Sequence, residues 1–246
     1  MEWIISAIVI LMASLLKGIT GFGFALMALP ILTIFFPMQM LVPAMTLFNL
    51  FTSLYILSNI RLKVKGRYFI PMLLASFIGI PAGVYALTYL PERTLELTTG
   101  ISIVSISMFF LLGSGREISE SRKEKPIVFA GFLSGFMASS MSIGGPPIAL
   151  AMNRKGYSKE HFRKIFALVS IINALISASL YVIKGIFPPF SLKFAIFLFP
   201  VILIGSKIGD LLSRRVNQMQ FKRMVLYLNM VLGLFIIARI MIFQPV

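Results

Sequence analysis

The sequence predicts an all-α polytopic membrane protein. Its composition, the spacing of its apolar segments and the placement of its basic residues all indicate this class. Of the 246 residues, 58% are hydrophobic and 13% are charged, and the mean hydropathy is +0.94, far from the values of soluble domains. Apolar segments of about 20 residues follow one another with short polar joints, whereas a transmembrane barrel needs alternating polarity. We therefore predict a single transmembrane domain over residues 1–246.

Six segments have the length and apolar character of complete membrane spans. A helix rises about 1.5 Å per residue, so about 20 residues cross a hydrocarbon core of about 30 Å. The predicted spans are residues 40–60, 68–90, 95–112, 165–183, 194–212 and 224–243.

Most lysines and arginines fall in short joints, which the positive-inside rule places in the cytoplasm. These joints are residues 61–67, 116–125, 154–164 and 214–223. The apolar run 126–152 separates two cytoplasmic joints and therefore cannot cross the membrane once. We predict that it is a re-entrant hairpin with legs of about 12 residues each, and that its tip is the helix-breaking stretch 139–147.

The N-terminal run, residues 3–36, is too long for one span and is interrupted by residues 17–23. We interpret it as a second re-entrant or broken helical hairpin, which enters from the outer face. Each half then has one hairpin and three transmembrane helices, and the fold is an inverted-topology repeat. The first repeat is residues 1–113, the second is 126–246, and residues 114–125 form a cytoplasmic connector. Both termini are predicted to lie outside the cell membrane.

The two halves also align with each other in sequence, which independently indicates an internal duplication. The matches keep a common order, with offsets that drift slightly between elements. The aligned pairs are Lys17 and Ser134, Gly18 and Gly135, Pro30 and Pro147, Thr46 and Ser170, Asn49 and Asn173, Ser53 and Ser177, Gly79 and Gly205, and Gly83 and Gly209. Inverted repeats are typical of secondary transporters, whose site lies at the repeat interface near the membrane midplane.

The second leg of each hairpin begins inside the membrane, so its first amides and its positive dipole end face the interior. In the second hairpin, serine hydroxyls can cap this leg, and Gly144 and Gly145 allow a ligand to approach the backbone. Two such helix starts facing one cavity predict a site for a small anion. The alternative is that the glycines only permit close helix packing. The candidate substrate-binding residues are Gly18, Thr20, Gly21, Gly23, Asn49, Ser139, Ser140, Ser142, Gly144, Gly145 and Asn173.

Polar side chains recur on one face of two predicted spans, at positions i, i+3 and i+7. Asn49 and Asn173 would be unfavourable against lipid, so these faces are expected to look into the bundle, where they either line the cavity or join helices. Lys17, the deepest basic residue, would raise the potential felt by an anion or pair with a carbonyl. The further candidates for the cavity lining are Lys17, Thr46, Ser53, Pro146, Ser170 and Ser177.

The remaining ionisable residues argue against other classes of function. Lys207 and Asp210 are expected to snorkel as a pair at the cytoplasmic end of their span, and Arg239 is interpreted in the same way. With no cysteine and one histidine, His161 in a basic loop, no catalytic residue, metal site or cofactor is predicted. The net charge of +15 follows topology, so no nucleic acid is expected as a partner. The expected partners are a small anion and the lipid bilayer, with a homo-oligomer left open.

Two glycine-rich breaks resemble the paired repeats of the sulfite exporter TauE/SafE family. They are Gly18-Ile-Thr-Gly-Phe-Gly-Phe, followed by Pro30, and Gly135-Phe-Met-Ala-Ser-Ser-Met-Ser-Ile-Gly-Gly-Pro-Pro. The resemblance covers essentially the whole chain and implies export or uptake of sulfur-containing anions such as sulfite, sulfonates or sulfoacetate. The second break departs from the usual glycine-rich pattern through its three serines.

The function predicted from the sequence is therefore secondary transport of a small sulfur-containing anion. Alternating access would operate at a midplane site between the two hairpin tips. A passive anion channel is the first alternative. A membrane-embedded enzyme is the weaker one, because the sequence offers no buried histidine or carboxylate pair to act as acid and base.

Overall fold

The structure is a computed structural model that describes residues 1–60, 64, 66, 69–112, 125–153, 159–213 and 218–243. Within these ranges the chain forms ten helices. They are α1 (Glu2–Thr20), α2 (Phe24–Leu32), α3 (Met38–Asn59), α4 (Ile70–Tyr89), α5 (Glu92–Leu112), α6 (Lys125–Met141), α7 (Gly145–Asn153), α8 (Lys159–Ile183), α9 (Pro189–Leu212) and α10 (Gln218–Phe243). The predicted connector 114–125 lies outside the described residues except for Lys125.

Each of the six predicted spans corresponds to one helix, with ends that differ by a few residues, which confirms the helical membrane class. Among the described residues, six helices are long and apolar enough to cross a membrane: α1, α3, α4, α5, α8 and α9. In α10 the apolar segment found is Leu226–Ile242. Three helices begin at least five residues earlier than predicted: α8 at Lys159, α9 at Pro189 and α10 at Gln218. His161 is therefore part of a helix, and its assignment to a loop is wrong.

Both interrupted apolar runs are broken helices. The breaks lie between α1 and α2 and between α6 and α7, but the prediction of equal legs is wrong. The first legs have 19 and 17 residues and the second legs have 9 each, or about 28, 26 and 14 Å. α6 continues through Ser139 and Ser140, whose hydroxyls lie 2.9 and 2.7 Å from Gly135 O and Phe136 O of the same helix and therefore have acceptors within it.

The backbone turns at each break through a residue with positive φ. Gly21 and Gly23 have φ of 88° and 94° in the first break, a conformation that glycine adopts without steric penalty. Ser142 has φ of 55° in the second break. Because a residue with a side chain adopts this conformation at a cost of about 1–3 kcal/mol, contacts around Ser142 must hold it there.

The first leg of each hairpin packs against a helix of the other half. α1 packs on α9, and α6 packs on α4. Glycines bring the backbones together at both interfaces: a Cβ on Gly18 would lie 2.7 Å from Ser206 O, and one on Gly135 would lie 2.6 Å from Ser76 O. Small residues are the usual means of close helix packing in membranes. α3 packs on α8, and α5 packs on α10.

Large apolar side chains cover the outer faces of the helices. Ile78 is 70% exposed, Phe129 66% and Ile183 76%. A soluble monomer rarely leaves such extended apolar surface in contact with water. Together with the spanning helices, this surface indicates a multi-pass membrane protein.

A buried ion pair ties α5 and α10 to the end of α2. Arg239 Nη2 donates to the two carboxylate oxygens of Glu96 at 2.8 and 2.7 Å, and Arg239 Nη1 donates to Thr33 O at 3.0 Å. The interpretation of Arg239 as a snorkelling residue is therefore wrong. Glu96 is only 3% exposed, and a carboxylate so deeply buried needs a charged partner.

The packing at α4 and α6 predicts that Gly79→Val destabilises the protein. A Cβ at Gly79 would collide with Phe132 O and lie 2.9 Å from Phe136 N, so the two backbones would have to separate. We expect the midpoint of thermal unfolding in detergent to fall by about 5 °C or more. Ile78→Val is the matched control, because Ile78 is adjacent in sequence and faces outward. Equal midpoints for the two variants would contradict this packing.

Candidate functional site

A polar cavity lies at the centre of the helix bundle, between α3, α6 and α8. Its empty space is about 360 Å³, open solvent included. The described residues that line it are Thr46, Asn49, Ser134, Ala138, Ser142, Gly144, Phe166, Ser170, Asn173, Ala174 and Ser177. The structure thus brings together seven predicted residues: Thr46, Asn49, Ser142, Gly144, Ser170, Asn173 and Ser177.

Helix periodicity explains why these residues meet. On α6, Ser134 and Ala138 are four residues apart and share one helix face, and Ser142 follows just beyond the helix end, where its N–H still bonds to Ala138 O. On α8, the lining residues from Phe166 to Ser177 follow the same repeat. The cavity is therefore enclosed by one polar stripe from each helix.

Asn49 connects the cavity to the buried Lys17. The Lys17 Nζ donates to Asn49 Oδ1 at 2.9 Å, Asn49 O at 3.2 Å and Ser53 Oγ at 3.1 Å. Three acceptors match the three N–H groups of an ammonium, and Nζ also lies 5.7 Å from the centre of the Phe166 ring. Lys17 and Ser53 lie behind Asn49 and are not among the lining residues. The predicted pairing of Lys17 with a carbonyl is present.

The strained Ser142 is fixed by contacts to α3. Its Oγ lies 3.3 Å from both Thr46 Oγ1 and Val42 O. Its carbonyl accepts a hydrogen bond from Asn49 Nδ2 at 3.3 Å. Since Asn49 Oδ1 accepts from Lys17, this one amide joins the charge of the first hairpin to the break of the second.

On the opposite wall, Asn173 contacts α4. Its Oδ1 lies 2.8 Å from Ser76 Oγ, and the Ser76 hydroxyl, which has one proton, also lies 2.7 Å from Leu73 O. Asn173 Nδ2 has no hydrogen-bond partner in the described part of the chain. Four residues further along α8, Ser177 is 1% exposed, and its Oγ likewise has no partner within the described ranges.

The candidate residues of the first break do not line the cavity. Gly18 contacts α9, as described above. Thr20 Oγ1 is used within the turn, where it lies 2.9 Å from Leu16 O and 2.6 Å from Phe22 O. Gly21 packs against the aliphatic part of Arg163, and Gly23 against Leu16. The two breaks approach each other where Phe22 packs against Gly145.

The remaining candidates of the second break also lie outside the lining. Ser139 Oγ donates to Ile80 O at 2.9 Å, and Ser139 O accepts from Tyr181 at 2.6 Å. The Ser140 hydroxyl is used within α6, and Gly145 and Pro146 are buried. These residues build the wall behind the cavity, and whether any of them contacts substrate stays a prediction.

The lining includes four residues that the sequence did not predict: Ser134, Ala138, Phe166 and Ala174. In the sequence, Ser134 is marked only by its alignment with Lys17. Its Oγ donates to Gly144 O at 2.7 Å and so holds the break against α6. Counting back from Ser142 in steps of four would have found Ser134 and Ala138. Phe166 and Ala174 carry no signal beyond their position on the α8 stripe.

Arg163 is a buried charged residue of α8 that was predicted to lie in the basic joint 154–164. Its Nη2 donates to Gly18 O at 2.9 Å and to Asp210 Oδ1 at 2.6 Å. Asp210 therefore pairs with Arg163, and the predicted pairing with Lys207 is wrong, since Lys207 is exposed. The Arg163 side chain is 6% exposed, so a carbonyl freed at the end of α1 and a carboxylate of α9 share one buried guanidinium.

The comparison with known families identifies the chain. The family described as "Sulfite exporter TauE/SafE" matches residues 6–236. The chain belongs to this family. It is thus a membrane anion exporter by family, and it belongs to a family of transporters, not of enzymes. No curated protein and no solved structure matches the chain. The lining fits a transporter, because its hydroxyls and amides offer neutral hydrogen bonds that bind a ligand without reacting with it.

The ion pair at the end of α1 predicts that Asp210→Ala destabilises the protein. The variant leaves the buried Arg163 guanidinium without its carboxylate, which costs about 3 kcal/mol or more. We expect a clear fall in the midpoint of thermal unfolding, and little change for Lys207→Ala, one turn earlier on the same helix. A larger effect of Lys207→Ala than of Asp210→Ala would restore the pairing first expected from the sequence.

Proposed function

We propose that this member of the family is a secondary transporter that carries a small sulfur-containing anion by alternating access through the central cavity. Sulfite, a sulfonate or a related organosulfur acid is the substrate class. The observation that carries the proposal is the cavity itself, a small chamber lined by neutral donors beside a buried lysine.

Three kinds of donor support an anionic substrate. The Ser170 hydroxyl and Asn173 Nδ2 face the cavity without partners in the described part of the chain. Gly144 lies at the start of α7, where free amides and the positive end of the helix dipole attract an anion. The Lys17 ammonium, which hydrogen-bonds to Asn49, adds positive potential to the cavity. Water screens this charge little, because Lys17 is fully buried.

The same arrangement supports release of the anion. Lys17 is held by oxygens of α3 and does not line the cavity, so the substrate would meet neutral donors rather than a fixed charge. Binding that is too strong would slow turnover of a carrier, because only a site that releases its ligand can cycle. A site of neutral donors near one shielded charge meets both needs.

The packing of the hairpins supports alternating access between the two halves. α1 packs on α9 and α6 on α4, so each hairpin would move with a helix of the other half while α3 and α8 keep the cavity between them. We further propose the plasma membrane as the location, both termini outside, and hairpins that enter from opposite faces. Labelling that places residues 125 and 154 on opposite faces would overturn the topology.

The substrate is tested by reconstitution into liposomes. We expect saturable uptake of radiolabelled sulfite, accelerated when unlabelled sulfite is loaded inside, because a carrier exchanges faster than it returns unloaded. Vesicles without protein are the control. A non-saturable flux with currents far above carrier turnover would indicate a passive anion channel, and no flux of sulfite or of organosulfonates would refute the substrate class.

The role of the α8 stripe is tested by Asn173→Ala. Removing a donor to a charged ligand costs about 1.5–3 kcal/mol, so we expect the apparent affinity for the anion to fall by about 10-fold or more. Ser179→Ala is the matched control, because Ser179 is exposed on the other side of α8. Asn49→Ala should also impair transport, and it should lower thermal stability as well, since Lys17 loses the acceptor Asn49 Oδ1. Normal transport by both asparagine variants would show that the polar faces of α3 and α8 only join helices and do not bind the anion.

A further inference from the structure

We propose that the second half of the protein binds a small monovalent cation between Ser134, Asn173 and Ser177. The chemical class is Na⁺, K⁺ or ammonium. All three residues line the cavity. In the first half, the residues aligned with Asn173 and Ser177 bind the ammonium of Lys17, which is itself the residue aligned with Ser134. The inference deepens the proposed transport function, because cation and anion would share one cavity, but its test measures binding without transport.

The first half shows what this set of residues can hold. The Lys17 ammonium lies against Asn49 Oδ1, Asn49 O and Ser53 Oγ at 2.9 to 3.2 Å. These are an amide oxygen, a backbone carbonyl and a hydroxyl, all neutral, and all of them can serve as ligands of a hard cation. The α3 stripe is therefore a cation site whose cation is covalently attached to α1.

The second half keeps the oxygens and lacks the attached charge. On α8, Asn173 and Ser177 repeat the α3 positions Asn49 and Ser53, while Ser134 aligns with Lys17. The short Ser134 side chain donates its proton to Gly144 O, which leaves its oxygen lone pairs available. Asn173 Oδ1 contacts Ser76, and an amide oxygen has a second lone pair.

Ser177 is the independent observation that points to a ligand. Its side chain is 1% exposed, it lines the cavity, and its Oγ has no hydrogen-bond partner among the described residues. The hydroxyl of Tyr181 lies beside Ser177, but its one proton goes to Ser139 O at 2.6 Å. Tyr181 can therefore only accept from Ser177, and the lone pairs of Ser177 Oγ are left without a donor. A buried polar atom without a partner is unfavourable by about 1–3 kcal/mol, and a cation coordinated by Ser177 Oγ removes this penalty.

The chemistry of the lining selects a single positive charge. The eleven described lining residues include no carboxylate, whereas Ca²⁺ and Mg²⁺ sites are built on carboxylates. The substrate anion would then lie between a fixed cation, Lys17 behind Asn49, and an exchangeable one held by α6 and α8. Because opposite charges bind more tightly together than apart, the affinity for each would rise in the presence of the other.

The test is a titration of the purified, full-length protein in detergent without sulfite. NaCl, KCl or ammonium chloride replaces choline chloride at constant ionic strength, while the midpoint of thermal unfolding is followed. We expect a saturable rise with at least one small cation and none with choline. Identical midpoints in all four salts overturn the proposal.

Two variants and one control locate the site. Ser177→Ala should raise the cation dissociation constant by about 10-fold or more, since it removes a coordinating oxygen, and Ser179→Ala should leave it unchanged. Ser134→Lys should supply a tethered ammonium, as Lys17 does in the first half, and should abolish the cation dependence of the midpoint. A wild-type dissociation constant in Ser177→Ala overturns the proposal even if Ser134→Lys does not fold.

The outcome is separable from that of the proposed function. Cation binding in a protein that carries no sulfite or organosulfonate would leave this inference standing and refute the substrate class. Anion transport by a protein that shows no cation binding would do the reverse.

Discussion

Inside a bilayer, every polar group that a broken helix releases must find a partner within the protein, and this constraint organises the centre of the structure. At the first break, Thr20 bonds within its own turn and Arg163 reaches across from α8 to Gly18 O. At the second, Ser134 holds Gly144 O and Asn49 holds Ser142 O. The breaks can lie deep in an apolar protein because neighbouring helices supply these partners, and the cavity is the space that they enclose.

The two halves solve the same problem differently. The first half fills the position beside its asparagine with a lysine, whose charge needs three oxygens of α3. The second half has a serine at the aligned position, and Ser76 of α4 contacts the amide of Asn173 instead. Consequently the first half holds a shielded positive charge beside the cavity, whereas the second half contributes most of the described lining.

Most of the fold follows from local sequence signals, and its departures come from contacts distant in sequence. Apolar length predicted five of the six described helices that can span a membrane and assigned the sixth, α1, to a hairpin leg. The i, i+3, i+7 faces predicted Asn49, Asn173 and Ser177 in the lining. The equal hairpin legs were wrong because α6 continues through Ser139 and Ser140, whose hydroxyls have acceptors within it. The ion pair between Arg163 and Asp210 was not predicted because its partners are 47 residues apart, and the local spacing favoured Lys207 as the partner of Asp210. The sequence could not decide whether Gly18 binds a ligand or permits close helix packing, because both roles require a glycine. The structure shows Gly18 in close contact with α9.

The difference between the halves has a consequence for the proposed transport cycle. If two identical halves exchanged their conformations, the inward-open and outward-open states would have the same energy. Two differences between aligned residues remove that equivalence. Lys17 aligns with Ser134, and Ser76 aligns with Ile202. A ligand shifts a conformational equilibrium only through its differential affinity for the two states, and in this protein the charge that a passing anion feels is fixed to one hairpin alone. In the proposed cycle the anion would therefore act on two unequal states, and of the residues that make them unequal, Ser134 is the one that lines the cavity.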